Sequence, residues 1–190
     1  YAPPTGFLAI CTGNLPISAD IDPAQTDDDF PQKNFNAVTY TGTGSSNAVS
    51  GLGFQPDLVV IKNRDGTQGT KWTDSSRGAT KVLQSAVTNA ESTDSNGLTA
   101  FGSDGFTVGS DAGYNGSSNG IVAWCWRANA GTTASNSNGS ITATVQANTA
   151  AGFSIATYTS PGSGTNHTVG HGLSDVDFII TKDRDSTFNW

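Results

Sequence analysis

Residues 51–65 read GLGFQPDLVVIKNRD, and residues 170–185 read GHGLSDVDFIITKDRD. Both stretches place a Gly-x-Gly ahead of an Asp, follow it with an apolar run, and close on Lys-x-Arg-Asp. In the first stretch DLVVIK is apolar on both faces, which predicts the central strand of a sheet rather than an edge. The correspondence extends in both directions. Phe35 matches Phe153, Thr39-Tyr40-Thr41 matches Thr157-Tyr158-Thr159, Gly44-Ser45 matches Gly162-Ser163, Asp57 matches Asp177, and Trp72 matches Trp190. Gaps of one or two residues suffice, so the chain reads as a tandem duplication with a period near 118 to 120, the size of a domain rather than of a solenoid repeat.

Around these stretches the pattern is that of short strands. NAVTYT alternates with period 2, GTGSSN is a turn, and DGFTVGS, GIVAWCWRAN and ITATVQA read as further strands bounded by Asn-Gly and Ser-Gly turn signals. In TKWTDSSRGATKVLQS, Lys71 to Thr73 reads as strand and the remainder as irregular, with room for a turn of helix. Charged residues make up only 13% of the chain, and nothing has the periodicity of an amphipathic helix of ten or more residues. The expected fold is therefore all-β, built of antiparallel sandwich-like, jelly-roll-like modules in tandem. Residues 35–129 form one complete module, 130–138 a polar linker, and 139–190 the first part of a second.

Residues 1–34 hold five of the seven prolines and a run of three Asp, which predicts an extended arm. Within it GFLAICT reads as one strand, the last of a domain that lies upstream. The chain contains no methionine, and its second copy stops at the residue matching Trp72. Both observations lead us to expect a window on a longer protein, because an apolar face left uncovered is costly.

Charge and motif content narrow the function. A net charge of −7 with nine basic residues disfavours nucleic acid, whose binding rests on Lys and Arg neutralising phosphates. No run approaches the ~20 apolar residues needed to cross a bilayer, so membrane insertion is not expected. Cys11 and Cys125 are too few for a disulfide framework. No G-x-S-x-G elbow, H-E-x-x-H or Cys/His zinc spacing occurs. His167 and His171 have Ala48 and Leu52 as counterparts, which excludes a catalytic role common to both copies. Asp20, Asp22 and Asp27 to Asp29 lack a calcium-loop pattern and read as a solvated acidic linker. We therefore expect neither enzyme, metal nor cofactor.

The candidate contact residues are Lys62, Arg64 and Asp65 with their counterparts Lys182, Arg184 and Asp185. These six sit at the same offset after an apolar run, either as a ligand or subunit patch or as a solvated strand end with a local ion pair worth about 0 to 1 kcal/mol. Trp126 joins them. It shares a strand face with Trp124 while Cys125 points the other way, and such a pair can stack a sugar or seal a core, the role expected for at least one of them.

The ordered motifs YTGTGSSNAVSGLGFQPDLVVIKNRD, WTDSSRGATKVLQS, AESTDSNGLTAFGSDGFTVGSDAGYNGSSNGIVAWCWRAN and GFSIATYTSPGSGTNHTVGHGL together resemble a repeated module of tailed-bacteriophage virion proteins. In those proteins a segment like YAPPTGFLAICTGNLP follows a SPRY-like, concanavalin-type sandwich. The resemblance spans nearly the whole chain, although SDVDFIIT carries two Asp where the family commonly has a small residue and Pro. It implies a non-enzymatic virion component, a tail or head fibre or other appendage, assembled in the bacterial host cytoplasm. Its implied partners are other virion proteins and further copies of itself. The alternatives are a carbohydrate-binding module for host surface glycans and a polysaccharide depolymerase.

Overall fold

A computed structural model describes residues 30–162 and 166–190 of the chain. Most of the expected arm, with the GFLAICT strand, the acidic cluster and Cys11, lies outside the described residues. Its end is a short 3-10 turn, Pro31–Lys33, capped at Asn34.

The fold is all-β and antiparallel, as the alternation predicts. Strands β1 (Phe35–Thr41), β2 (Asn47–Ser50), β3 (Leu58–Asn63), β4 (Lys71–Asp74), β5 (Lys81–Gln84), β6 (Ser92–Thr93), β7 (Leu98–Gly102), β8 (Gly105–Val108) and β9 (Gly120–Trp126) form two sheets. One sheet has the order β1-β9-β3-β4-β5-β6 and the other β2-β8-β7. They enclose a single apolar cluster. Val59 and Ile61 from β3, Ile121, Ala123 and Cys125 from β9, and Val82 from β5 meet Val49, Leu98, Phe106 and Val108 from the smaller sheet. Each such side chain contributes about 1.5–3 kcal/mol on full burial. Strand β3 is central, between β9 and β4, and Val60 on its outer face is also buried. This is what an apolar run without alternation requires.

Strand β5 corrects the sequence reading of residues 74–85 as irregular. The Ser-Ser-Arg-Gly run between β4 and β5 is a hairpin connection, and β5 pairs with β4 from Lys71↔Gln84 to Trp72↔Leu83. Helix is confined among the described residues to short turns, of which α1 (Ala112–Asn115) buries Tyr114. Strand β2, hidden in the sequence by flanking Gly and Ser, pairs with β8.

The repeated motif of residues 51–65 has a structural explanation at each position. Gly51 and Gly53 have φ of +90° and +82°, a conformation that glycine adopts without steric cost. Their amides thereby converge on the Asp104 carboxylate at 3.0 and 2.6 Å. Those two bonds hold the Asp104 carboxyl below its ordinary range. Asp57, fully buried, accepts the amides of Ala128, Ala130 and Gly131 and the hydroxyl of Ser75. It thus fastens the chain leaving β9 to the start of β3. Asp65 accepts the Gly120 amide, and the Arg64 amide donates to the Gly120 carbonyl. The motif therefore clamps both ends of β9 onto β3.

Beyond the sandwich, β10 (Ala134–Asn136), β11 (Ala143–Asn148) and β12 (Phe153–Thr157) form a three-stranded antiparallel sheet in that order. Ile141 and Val169 form an isolated parallel bridge. The segment SDVDFIIT, expected as a strand, is unpaired, with Phe178, Ile179 and Ile180 exposed at 79, 70 and 50%. A strand requires hydrogen-bonding neighbours, and the two that flank β3 have no counterparts beside this segment.

Replacing Asp57 by Ala leaves the Ala128 and Ala130 amides and the Ser75 hydroxyl without their acceptor, while the Gly131 amide keeps Gln146 Oε1. At about 1–3 kcal/mol for each buried unsatisfied group, with partial relaxation, the expected loss is at least about 3 kcal/mol. Urea unfolding followed by tryptophan fluorescence should show this, and Asp104→Ala, at the exposed turn, should shift the midpoint much less.

Candidate functional site: the seam between the sandwich and the C-terminal segment

The six matched residues do not gather into one patch. Lys62 donates to the Gln68 carbonyl at 2.6 Å, within its own loop, while Arg64 and Asp65 are exposed at the start of β9. Lys182 likewise turns onto nearby carbonyls, those of Asp183 at 2.7 Å and Ser186 at 3.0 Å. The Asp185 amide donates to Asp183 Oδ1 at 2.9 Å, as the Asp65 amide does to Asn63 Oδ1 at 3.0 Å. For five of the six the described contacts are local, save that Arg64 and Asp65 also reach Gly120 of β9.

Arg184 is the exception. Its Nε and Nη2 donate to the two oxygens of Glu91 at 3.1 and 3.0 Å, and its carbonyl accepts the Glu91 amide at 2.8 Å. Glu91 in turn accepts from Arg77 Nη1 at 2.9 Å, and Arg77 is paired with Asp74 and donates to the Trp72 carbonyl. The side chains of Arg77 and Glu91 are nearly enclosed, at 4 and 11% exposure, whereas Arg184 stands at 41%. The inner pair is therefore the stronger part of the chain Asp74–Arg77–Glu91–Arg184. Burial raises the Glu91 carboxyl, but the hydrogen bonds and charges of Arg184 and Arg77 outweigh it and hold the group below its ordinary value. Arg184 is held above its own, first by the Glu91 hydrogen bond.

Aromatic contacts run along the same seam. Trp126 lies on the outer face of the large sheet, not in the sandwich core, with Phe35 at 4.8 Å and Phe153 stacked at 6.3 Å between ring centroids. Trp72 meets Trp190 at 5.2 Å, and the Trp190 indole N–H donates to the Gln84 carbonyl at 3.1 Å. Between these aromatic contacts Gln146 of β11 is fully buried. Its amide nitrogen donates to the Ser75 and Ser76 hydroxyls at 2.8 and 2.7 Å, and its oxygen accepts the Gly131 amide at 3.1 Å. Asn148 donates to Asn34 at 2.7 Å. Sequence reasoning missed Glu91, Arg77 and Gln146, because each acquires its role here from a partner distant in the chain. Phe153 and Trp190 carried a signal, as the counterparts of Phe35 and Trp72.

Two shallow clefts lie off the seam. One, of about 330 Å³, is lined by Asn136, Asn138 and residues 169–173, including His171. The other, of about 380 Å³, lies among Lys33, Gly53, Phe54, Gln55, Ser103, Arg127 and Ala130. Among the described residues no three His, Cys, Asp or Glu side chains are grouped to hold a metal. The Ser140 hydroxyl stands 3.5 Å from His167 Nδ1, but both are exposed and the hydroxyl accepts the Thr168 amide at 2.9 Å. Burial pushes the Cys125 thiol up to about 12, far from a thiolate nucleophile at neutral pH.

Over residues 30–190 the chain matches the model of a family described as Domain of unknown function (DUF7483). Neither the curated proteins nor the solved structures give a match to it.

Two outcomes follow for the seam. Because the folded Glu91 carboxyl titrates below its ordinary value of 4.5, its contribution is complete above that value and is lost as pH falls through the lower, folded one. Tryptophan fluorescence should therefore report undocking of Trp190 in acid, and Glu91→Gln should flatten that transition. Glu91→Ala should cost about 1–3 kcal/mol through the enclosed Arg77, and Arg184→Ala under about 1 kcal/mol. In peptide mapping after brief exposure to a thiol reagent, Cys125 should remain unlabelled until urea unfolds the sandwich.

Proposed function

We propose that the chain, which belongs to the DUF7483 family, is a non-enzymatic structural protein of a bacteriophage virion, a component of a tail or head fibre or other appendage. The observation that carries this reading is the use to which the distinctive side chains are put. Trp126, Arg184, Trp190 and Gln146 fasten the sandwich to the segment that follows it instead of surrounding a reaction centre. Packing of this kind suits a chain of rigid units that holds loops away from a particle and multiplies weak contacts. The sequence resemblance supports the same role, with other virion proteins and further copies of the chain as partners and the virion as location.

Host attachment through surface glycan is the second reading, favoured by the cleft that brings Asn136, Asn138 and His171 together. Amide and imidazole groups in a shallow, open site are the donors and acceptors that sugar hydroxyls use. A depolymerase has less support, since Ser140 and His167 lie exposed and the hydroxyl is tied to Thr168. Nucleic acid is disfavoured by the net charge of −7. Among the described residues no helix is long and apolar enough to cross a membrane.

Mass spectrometry of gradient-purified particles should recover peptides of this chain in fixed stoichiometry, and their absence would defeat the virion role. Binding on a glycan array that is lost in Asn136→Ala would move the weight to the second reading.

A further inference from the structure

Asparagine followed by glycine is the pair in which a side-chain amide is converted most readily to an acid, since glycine puts no side chain in the way of the attacking main-chain nitrogen. The chain contains four such pairs, Asn96-Gly97, Asn115-Gly116, Asn119-Gly120 and Asn138-Gly139. The reaction needs the glycine amide to leave its hydrogen bond and the asparagine side chain to swing onto it. A pair held by the fold is therefore silent until the structure opens locally.

Three of the pairs are held. The Gly97 amide donates to the Asp94 carbonyl at 3.1 Å, the Gly116 amide to the Ala112 carbonyl at 3.2 Å, and the Gly120 amide to the Asp65 carboxylate. Asn115 is also fully buried, with its side chain bonded to Thr43, Ser45 and Gly109. Asn138-Gly139 differs on both counts. It lies in the bend between β10 and β11, and Asn138 is exposed. The Asn138 amide donates to Asn136 Oδ1 at 3.0 Å, but neither the Asn138 side chain nor the Gly139 amide bonds to any described residue. Packing fixes glycine at position 139, because a Cβ there would stand 2.3 Å from the Thr168 carbonyl oxygen. The fold thus demands the reactive partner at the pair whose amide it leaves without a described acceptor.

We infer that Asn138 is a modification site, at which the folded chain converts its own side-chain amide to aspartate and isoaspartate. The Gly139 nitrogen attacks the carbonyl carbon of the Asn138 side chain. A carbon–nitrogen bond forms, the bond to the side-chain nitrogen breaks, and ammonia leaves with the proton that the Gly139 nitrogen gives up. Water then opens the cyclic imide. Opening at the former side-chain carbonyl leaves aspartate, whereas opening at the main-chain carbonyl routes the backbone through the side chain and leaves isoaspartate. Either product adds a negative charge to the cleft shared by Asn136, Asn138 and His171. Isoaspartate also lengthens the main chain by a methylene just before a glycine that has no room against Thr168, which loosens the bond from the Ile141 amide to the Thr168 carbonyl. The reaction consumes only water and needs no ligand, so it can fail or succeed independently of the virion and glycan readings.

The test is incubation of the whole chain at neutral to mildly alkaline pH, followed by peptide mapping that reads the amide-to-acid mass gain and separates aspartate from isoaspartate. Asn138 should convert at least about tenfold faster than Asn96, Asn115 or Asn119, and an acidic charge variant should accumulate in step. In urea the four pairs should converge on similar rates, because the hydrogen bonds that distinguish them are gone. Asn138→Gln, at an exposed side chain, should unfold with the parent and lose the early acidic variant. Three results would each overturn the inference. One is a rate at Asn138 in the folded chain no higher than at the other pairs. Another is a spread of rates that survives unfolding, which would place the selection in local sequence and not in the fold. The last is an early acidic variant that persists in Asn138→Gln.

Discussion

Strand β9 must be satisfied on both edges and both faces, and the sandwich is the arrangement that achieves it. Its backbone is paired with β1 on one side and β3 on the other. Ile121, Ala123 and Cys125 fill the interior, while Trp124 and Trp126 stand on the outer face. A strand so placed has no slack in register, since a slip of one residue would drive the indoles into the core and the small residues out. The polar groups around it serve that register. Asp65 holds the amide at its beginning, and Asp57 gathers the amides just beyond its end. Both belong to the motif on β3, which explains why an acidic residue stands on each side of an apolar run.

The outer face gives the second layer of organisation. Trp126 and Trp72 would leave a broad apolar surface if the sandwich stood alone. Phe153 and Trp190 cover parts of it, and the buried Gln146 provides polar specificity between them. This seam combines few hydrogen bonds with large flat contacts, and its one extended ionic chain is anchored on the sandwich side by Arg77. The C-terminal segment therefore docks on a site prepared by the sandwich.

How much of this was legible in the sequence depended on range. The all-β class, the central position of β3, and the strands β1, β8, β9 and β11 followed from alternation and turn residues, signals that act over a few positions. Strand β5 did not, because KVLQ is too short to show a period and follows a run of Ser, Arg and Gly. The candidate residues fared in the same way. Lys62 satisfies a local carbonyl six positions on, whereas Asp65 reaches Gly120 across 55 positions and Arg184 finds Glu91 across 93. Trp126 lies outside the sandwich core, covered by Phe153 from a segment whose docking no local pattern encodes.

The contact of Trp72 with Trp190 has an optical consequence. Two indoles 5.2 Å apart and inclined at 46° are neither parallel nor perpendicular, so their ultraviolet transition dipoles couple into a split, handed pair of bands in circular dichroism. The protein thus contains its own chromophoric gauge of whether the segment around Trp190 lies against the large sheet, without any label.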